Sequence, residues 1–231
     1  MQKYKKIILI VLAAVLLAAV GIGLFAAGPV LAMRPAKTGG IPGAGSIYAI
    51  KNGVGSVYLF DTGSGCVLID AGSNAAKLEQ SMEEKGIEAE NIKWILLTHS
   101  DYDHIAGLTL FPNAEIYMGE DEFYALGLPP RQNQLPEGLS PDKFYLLTDE
   151  DELWLHATPV RCIKAPGHTA GSMAYMIDGK YLFTGDAIRL GKAAIVHPFT
   201  QDKAQAEETI EQLMALPWYM ILTSHYGITT K

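Results

Sequence analysis

Four side chains of types that bind metal ions lie within six residues of one another, directly after an apolar run. His99, Asp101, Asp103 and His104 follow residues 92–97, whose composition is typical of a buried strand. Imidazole and carboxylate are the donors that first-row divalent metals accept. Alternate residues of an extended chain share a face, so His99, Asp101 and Asp103 can converge on one metal position. His104, the next residue, would then turn toward a second metal position. Two groups of ligands on one loop favour two adjacent metal ions over one.

A loop of this composition can also exist without a metal. Histidine and aspartate are common after strands, and Asp103 alone could cap the N-terminus of a helix. Three further polar residues favour the metal site, because each comes directly after an apolar run that predicts a strand. They are His168 after residues 160–164, Asp186 after residues 181–183, and His225 after residues 219–222. Seven donors at four strand ends suit two metal ions that share one carboxylate.

The apolar periodicity predicts two similar halves, each with strands, a helix and a further strand. Strands are predicted at 46–51, 56–60, 66–69, 92–97, 114–118, 144–147, 152–155, 160–164, 173–177, 181–183 and 219–222. Helices are predicted at 75–85, 121–126 and 203–216. This order favours two sheets packed face to face with helices on their outer faces.

From about Ser46 to its end, the chain resembles the metallo-β-lactamase-fold superfamily. The resemblance is carried by Asp70-Ala71-Gly72, Thr98-His99-x-x-x-Asp103-His104, Pro166-Gly167-His168-Thr169-x-Gly171-Ser172, Gly185-Asp186 and His225. It implies an α/β (α+β) fold, a four-layer αββα sandwich of two mixed β-sheets flanked by helices. It also implies a metal cleft along one edge of the sheets.

The resemblance further implies a role for each matching residue. One ion would be held by His99, Asp101 and His168, the other by Asp103, His104 and His225, and Asp186 would bridge them. Water acidified by both ions would be the nucleophile. Asp103 would orient that water or return a proton to the leaving group, and Asp70 would steady the ligand loop from behind.

Asp101 departs from the family pattern, because a second histidine is usual at its position. A carboxylate is harder and more negative than imidazole, which favours Mn or Fe over Zn. We therefore expect two divalent ions, with Zn as the first choice and Mn or Fe as alternatives. A degenerate, inactive site is the other interpretation, although every other ligand is present.

Three residues downstream of Asp186 are weaker candidates for substrate binding. Arg189 lies three positions after Asp186, similar to the spacing at which some class B β-lactamases place a lysine that binds the substrate carboxylate. Lys192 could act in the same way, and His197 could reach the cleft because its loop leaves from Asp186. A solvated loop charge is the alternative for Arg189 and Lys192.

The N-terminal segment predicts a membrane anchor. Three lysines precede residues 7–32, a run of 26 residues without a charge, and a helix needs about 20 apolar residues to cross a bilayer. A cleaved signal peptide is the alternative, since small residues near position 32 offer a cleavage site. Either outcome places the following domain outside the cytoplasm, anchored in the cell membrane by a single pass or secreted.

Composition and charge divide the chain further. We predict an anchor or signal segment (1–33), a Gly- and Pro-rich linker (34–45) and a catalytic domain (46–231), with residues 127–143 as an inserted loop or lid. Beyond residue 37 the chain carries 13 basic and 25 acidic residues, a net charge of −12, which argues against nucleic acid as a partner.

Cys66 and Cys162 lie in strand-like runs and are expected to be buried free thiols, although an oxidising compartment would permit a disulfide.

These observations favour a membrane-anchored, metal-dependent hydrolase of a small carbonyl substrate such as an ester, lactone, thioester or β-lactam amide. A di-iron protein of redox or oxygen chemistry is an alternative suggested by Asp101, although no domain for electron delivery is apparent in the sequence. A small phosphodiesterase is a second alternative. A non-catalytic binding module is a third, and it predicts no turnover even with metal bound.

Overall fold

Two mixed β-sheets form the centre of the computed structural model, which describes residues 28–126, 135–149 and 151–231. The chain divides into two compact units, Met1–Met33 and Arg34–Lys231. In the first unit, residues 28–31 form one helical turn. Both sheets belong to the second unit.

The first sheet contains seven strands that lie side by side in their chain order. They are β1 (Gly39–Ile41), β2 (Ala44–Asn52), β3 (Gly55–Asp61), β4 (Cys66–Ile69), β5 (Ile92–Leu96), β6 (Glu115–Gly119) and β7 (Phe144–Leu147). The pairings from β1 to β4 are antiparallel, and those from β4 to β7 are parallel. Parallel pairing requires crossover connections, and these connections carry helices and ligand loops.

The second sheet contains six strands, again in chain order. They are β8 (Glu152–Leu155), β9 (Thr158–Lys164), β10 (Met173–Ile177), β11 (Tyr181–Gly185), β12 (Met220–Thr223) and β13 (Ile228–Thr230). All of its pairings are antiparallel except that between β11 and β12. The crossover between those two strands contains the longest α-helix among the described residues.

Four α-helices flank the sheets within the described part of the second unit. They are α1 (Ala75–Glu83), α2 (Tyr102–Ile105), α3 (Glu120–Ala125) and α4 (Lys203–Met214). The two longer helices begin at side-chain caps, since the Asn74 carboxamide oxygen accepts from the N–H of Lys77 and the Asp202 carboxylate accepts from the N–H of Gln205. Such caps satisfy N–H groups that have no partner inside the helix.

Three apolar clusters show how these layers pack. One cluster joins inward-facing residues of both sheets, among them Tyr58 and Phe60 from β3 and Tyr175 from β10. A second lies between the first sheet and α1, and a third packs α4 against the second sheet. The prediction of two mixed sheets flanked by helices is therefore confirmed.

The predicted linker is corrected in part by β1. Gly39 pairs with Ala49 and Ile41 with Ala44, so residues 39–41 form the first strand of the sheet. Gly43 has a φ of 78° at the turn between these strands, a conformation that glycine adopts readily. The Gly- and Pro-rich composition thus encodes a hairpin as well as the approach to the domain. Strand β13 was not expected, because three residues are too few to show a periodicity.

Two predictions fall wholly or partly on residues that are not described. Of the predicted anchor, residues 1–27 lie outside the described residues, and no helix in the described ranges is long and apolar enough to cross a membrane. Of the predicted lid, residues 127–134 lie outside them, whereas Leu135 and Leu139 pack against the cluster on the outer face of the first sheet. Cys66 and Cys162 are free thiols, as predicted, but only Cys162 is buried, and Cys66 is partly exposed.

Candidate metal centre

The seven predicted metal ligands converge at one place in the fold. Each ligand segment follows the carboxyl end of a strand: β5 leads to the 99–104 loop, and β9, β11 and β12 lead to His168, Asp186 and His225. The first of these strands belongs to one sheet and the other three belong to the opposite sheet. The centre therefore joins the two halves of the sandwich.

Asp186 lies in the middle of the cluster. Its Oδ2 atom lies within 4.0 Å of Nε2 of five histidines: His225 (3.3 Å), His168 (3.6 Å), His197 (3.6 Å), His104 (3.8 Å) and His99 (4.0 Å). Asp186 is only 5% exposed, and the five histidines are all buried. A buried carboxylate at the focus of five imidazoles is the position from which one side chain could contact two ions.

Asp101 and Asp103 occupy opposite ends of the cluster. Asp101 Oδ2 lies 3.1 Å from His168 Nε2 and 3.4 Å from His99 Nε2. Asp103 Oδ2 lies 3.3 Å from His225 Nε2 and 3.9 Å from His104 Nε2. Both carboxylates are about one-third exposed at 34%, so they mark the side of the cluster that solvent reaches.

Unpaired buried atoms show that this cluster fits metal ions. Nε2 of His99, Nε2 of His104 and Oδ1 of Asp186 are buried and have no hydrogen-bond partner. Leaving buried polar atoms unpaired is costly, and native proteins rarely do so without a reason. Subsets of the cluster can each hold one ion: His99 with Asp101 and His168, Asp103 with His104 and His225, and Asp186 with histidine pairs from the same cluster.

The far nitrogens of three histidines face hydrogen-bond acceptors. His104 Nδ1 lies 2.8 Å from the carboxylate of Asp70, and His225 Nδ1 lies 3.0 Å from the carbonyl oxygen of Val54. His99 Nδ1 lies 3.0 Å from Thr98 Oγ1, whose own proton is directed to Asp70. These acceptors keep a proton on Nδ1, so that each ring turns the lone pair of Nε2 toward the centre once Nε2 has lost its own proton.

The electrostatic interactions within the cluster also favour the binding of cations. Burial alone would raise the pKa of Asp186, but His225 and His104 outweigh burial and hold that pKa well below its usual value. Burial would lower the pKa of both histidines, but Asp186 and a hydrogen bond to Asp103 raise that of His225 to about 11. Asp70 and Asp186 likewise raise the pKa of His104 to about 9. Protons on these two rings supply the positive charge that metal ions would replace.

Two buried tyrosines fix the strand ends that carry ligands. The Tyr175 hydroxyl of β10 donates to the carbonyl of Leu97, two residues before His99. The Tyr58 hydroxyl of β3 donates to the carbonyl of Thr223, two residues before His225. Each tyrosine reaches across from the opposite sheet, so the sheets hold one another's ligand loops in place.

Glycine at position 185 allows the backbone before Asp186 to lie against Thr98. Gly185 has a φ of 53° and immediately precedes Asp186. A Cβ atom at this position would lie 2.4 Å from Thr98 Oγ1, which is closer than non-bonded atoms approach. Any larger residue would therefore separate Asp186 from the 99–104 loop.

Glu122 is a further functional residue, which sequence analysis missed. Its side chain is fully buried in the first turn of α3, where Oε1 accepts from the N–H (2.7 Å) and hydroxyl (2.5 Å) of Ser100. Its Oε2 accepts from the hydroxyl of Thr169 at 2.7 Å. One carboxylate thus ties the loop of His99 to the loop of His168. An acidic residue at a helix start is unremarkable in sequence, because it also complements the helix dipole.

The structure brings one of the three weaker candidates into the cluster. His197 Nε2 lies near Asp186, as described above. The Arg189 guanidinium lies 5.2 Å from the ring of Tyr226, the residue after His225, so Arg189 stands one side chain away from the ligands. Lys192 is exposed in the same loop, and no contact among the described residues joins it to the cluster. Asp70, predicted to steady the ligand loop, contacts Thr98 and His104.

Comparison with known proteins gives one family and several relatives. The family model described as the metallo-beta-lactamase superfamily matches residues 50–225. A hydroxyacylglutathione hydrolase of Hamiltonella defensa is 30% identical over 69% of this chain and 56% of its own length. A probable polyketide biosynthesis zinc-dependent hydrolase of Bacillus subtilis is 28% identical over 65% of this chain and 60% of its own length. The alignments thus span little more than half of these relatives.

The fold has counterparts among solved structures. An archaeal metallo-beta-lactamase superfamily protein of Sulfolobus tokodaii superposes with a TM-score of 0.63 and 20% sequence identity. The match covers 80% of this chain and 81% of that protein. The likeness concerns the fold.

We predict that Glu122→Ala weakens metal binding as well as folding. The change leaves the Ser100 N–H and two hydroxyls without their charged acceptor, at a cost of about 2–4 kcal/mol in the free energy of unfolding. Loss of such supporting contacts lowers metal affinity by roughly 10–100-fold. Denaturant unfolding and competition with a chelator measure the two effects. Glu120→Ala, on the same helix, is the matched control, and an unchanged metal affinity in Glu122→Ala would contradict the positioning role.

We predict that metal loading at pH 7 releases protons. His104 and His225 must be neutral to bind a metal through Nε2, and their pKa values of about 9 and about 11 keep them protonated at pH 7 in the metal-free protein. Apparent metal affinity should therefore rise with pH between 6 and 8, as bound protons compete less. Titration calorimetry in buffers of different ionisation enthalpy measures the release, with about two protons expected. A binding enthalpy independent of the buffer would rule out this coupling.

Proposed function

The chain belongs to the metallo-beta-lactamase superfamily, and we propose that it is a dinuclear-metal hydrolase of a small acyl substrate, with a thioester as the first candidate bond. The observation that carries the proposal is the convergence of six other predicted ligands around the buried carboxylate of Asp186, the seventh. A structural role alone would not require so many unpaired donors in one buried place.

In this proposal each ion would be held by three residues, and Asp186 would be shared by both ions. His99, Asp101 and His168 would hold one ion, and Asp103, His104 and His225 would hold the other. Zinc is the first choice, and the carboxylate of Asp101 makes Mn or Fe acceptable. When bound, the ions would polarise a substrate carbonyl and lower the pKa of water to near neutrality.

The residues of the chain position and shield this chemistry. Hydrogen bonds on Nδ1 of His99, His104 and His225 orient the rings before any ion arrives, so little reorganisation is needed on binding. The buried histidines line the inner side of the centre, which keeps its dielectric low. Asp103 lies on the solvent side, where its carboxylate can orient a water molecule or pass a proton to the leaving group.

One observation supports an acyl thioester as the substrate, and a second supports a negative charge on that substrate. Hydroxyacylglutathione hydrolases, whose name describes a thioester substrate, recur among the relatives. In addition, the Arg189 guanidinium lies over the ring of Tyr226 beside the ligands, where it can attract an anionic group in a domain that is otherwise acidic. Esters, lactones and β-lactams remain as the other members of the class.

We also propose that the domain works outside the cytoplasm, attached through the N-terminal segment. The support is the uncharged run of residues 7–32 behind three lysines. Membrane fractionation followed by determination of the N-terminal residue tests the proposal. Full-length chain in the membrane fraction is expected; a soluble cytoplasmic protein would contradict it, and a mature N-terminus near Met33 would replace the anchor with a cleaved signal.

The function is tested by metal content and turnover in one preparation. The full chain in detergent should bind two metal equivalents and hydrolyse at least one compound in a panel of thioesters, esters, lactones and β-lactams. Asp186→Asn should lose at least one equivalent, and turnover should fall by roughly two orders of magnitude, equivalent to about 2.7 kcal/mol in the activation barrier.

Asp178→Asn is the matched control for this experiment, because Asp178 is a half-exposed surface residue paired with Lys180. It should keep both metal equivalents and full turnover. Two bound metals without hydrolysis of any panel member would turn the assignment toward a redox protein, and cleavage of bis-nitrophenyl phosphate alone would indicate a phosphodiesterase. Retention of both metals by Asp186→Asn would contradict the bridging role.

A further inference from the structure

Two buried side chains beside the metal cluster have polar atoms that the ligand assignment leaves without a partner. Nε2 of His197 and the hydroxyl of Tyr226 are both buried and make no hydrogen bond. The two rings contact each other, with centroids 5.6 Å apart and planes inclined at 69°. One residue comes from the loop after β11 and the other from the turn after β12, so two separate segments build this feature.

His197 points into the cluster beside Asp186. Its Nε2 lies 3.6 Å from Oδ2 of Asp186, and its ring packs 4.9 Å from that of His168 and 5.7 Å from that of His225. The side chain is 2% exposed. A nitrogen in this position either binds a metal or donates a hydrogen bond to something that enters the centre. The group of His168, Asp186 and His197 is compact enough for metal binding, so distance alone leaves both roles open.

The hydrogen bond at the other ring nitrogen, Nδ1, distinguishes metal binding from hydrogen-bond donation. Nδ1 of His197 accepts a hydrogen bond from the backbone N–H of Phe199 at 3.4 Å. The equivalent nitrogens of His104 and His225 face the opposite kind of group, a carboxylate and a carbonyl. A neutral imidazole has one N–H, so a ring that accepts at Nδ1 has its proton on Nε2. His197 therefore turns an N–H toward the centre, whereas the predicted ligand histidines would turn a lone pair there when a metal is bound.

Tyr226 adds a second donor and a link to positive charge. It follows the ligand His225, and its hydroxyl has one proton to donate and no acceptor. The Arg189 guanidinium lies 5.2 Å from its ring on one side and His197 contacts the ring on another. Negative charge that develops near this pair is thus stabilised by two donors and a nearby cation.

We propose that His197 and Tyr226 form a subsite for a substrate oxygen, and that His197 is a hydrogen-bond donor and not a metal ligand. Nε2–H of His197 and the hydroxyl of Tyr226 donate to the same oxygen atom, or to the two oxygens of one carboxylate, of the acyl substrate. The proposal rests on the proposed function for the identity of that substrate. The role of His197 as a hydrogen-bond donor does not depend on which substrate binds.

The first test observes the tautomer of His197 directly. Two-bond ¹H–¹⁵N correlation spectra of the zinc-loaded full chain in micelles show which ring nitrogen has the proton. His197 should have it on Nε2, and His104 and His225 on Nδ1. Loss of a signal in His197→Gln assigns it, and His156→Gln is the control because His156 is exposed and distant from the ligands in sequence. A proton on Nδ1 of His197 in the zinc-loaded protein would overturn the proposal and make His197 a ligand.

The second test uses acetate as a probe that requires no turnover. Acetate added to the zinc-loaded protein should move the Nε2–H proton resonance of His197 downfield. Tyr226→Phe, which removes only the hydroxyl, should weaken acetate binding several-fold, while Tyr145→Phe, at an exposed tyrosine, should leave it unchanged. Acetate binding that is insensitive to both His197→Ala and Tyr226→Phe would overturn the subsite.

The third test measures metal content and kinetics on the same variants. His197→Ala and Tyr226→Phe should keep both metal equivalents, whereas loss of an equivalent in His197→Ala would again indicate a ligand. With a panel substrate that is hydrolysed, His197→Ala should lower kcat by about 10²–10³-fold, the usual effect of removing one donor to a developing oxyanion. His197→Gln, which retains an N–H donor, should recover part of that loss. Failure of every panel substrate would count against the proposed function and leave the tautomer and acetate results to decide the subsite.

Discussion

The structure depends on the burial of one carboxylate, that of Asp186. An ionised carboxylate away from water is costly unless charge and hydrogen bonds compensate it, and here five imidazoles lie within 4.0 Å of one of its oxygens. In the metal-free protein, protons on His104 and His225 supply the compensating charge. Metal ions would supply it better, because they also satisfy the unpaired nitrogens of the histidines.

This arrangement requires both sheets of the sandwich to be present. His99 to His104 follow a strand of the first sheet, and the remaining ligands follow strands of the second. Contacts that cross between the sheets fix the ligand loops: the hydroxyls of Tyr58 and Tyr175 hold backbone carbonyls near the ligands, and Glu122 joins the loops of Ser100 and Thr169. The apolar core and the polar centre therefore stabilise one another, and a loss of packing between the sheets would separate the ligands.

The sequence predicts most of the fold and the ligands for a common physical reason. Each candidate ligand follows an apolar run, and the concentration of seven metal-binding side chains at the ends of four such runs distinguishes them from ordinary polar residues after strands. Glu122 could not be found in this way, because its partners Ser100 and Thr169 are distant in sequence and its helix position is ordinary. Strand β1 was not predicted, because the glycine and proline that form its hairpin turn are also typical of a linker. The donor role of His197 depends on the N–H of Phe199, a backbone contact that no side-chain pattern encodes.

Anomalous diffraction from crystals of the zinc-loaded chain would show whether Asp186 joins two metal ions. We expect two anomalous peaks, one near His99, Asp101 and His168 and one near Asp103, His104 and His225, each at about 2.0–2.2 Å from an oxygen of Asp186. His197 would lie outside bonding distance of both peaks. A single peak, or two peaks without Asp186 between them, would rule out the bridging role of Asp186.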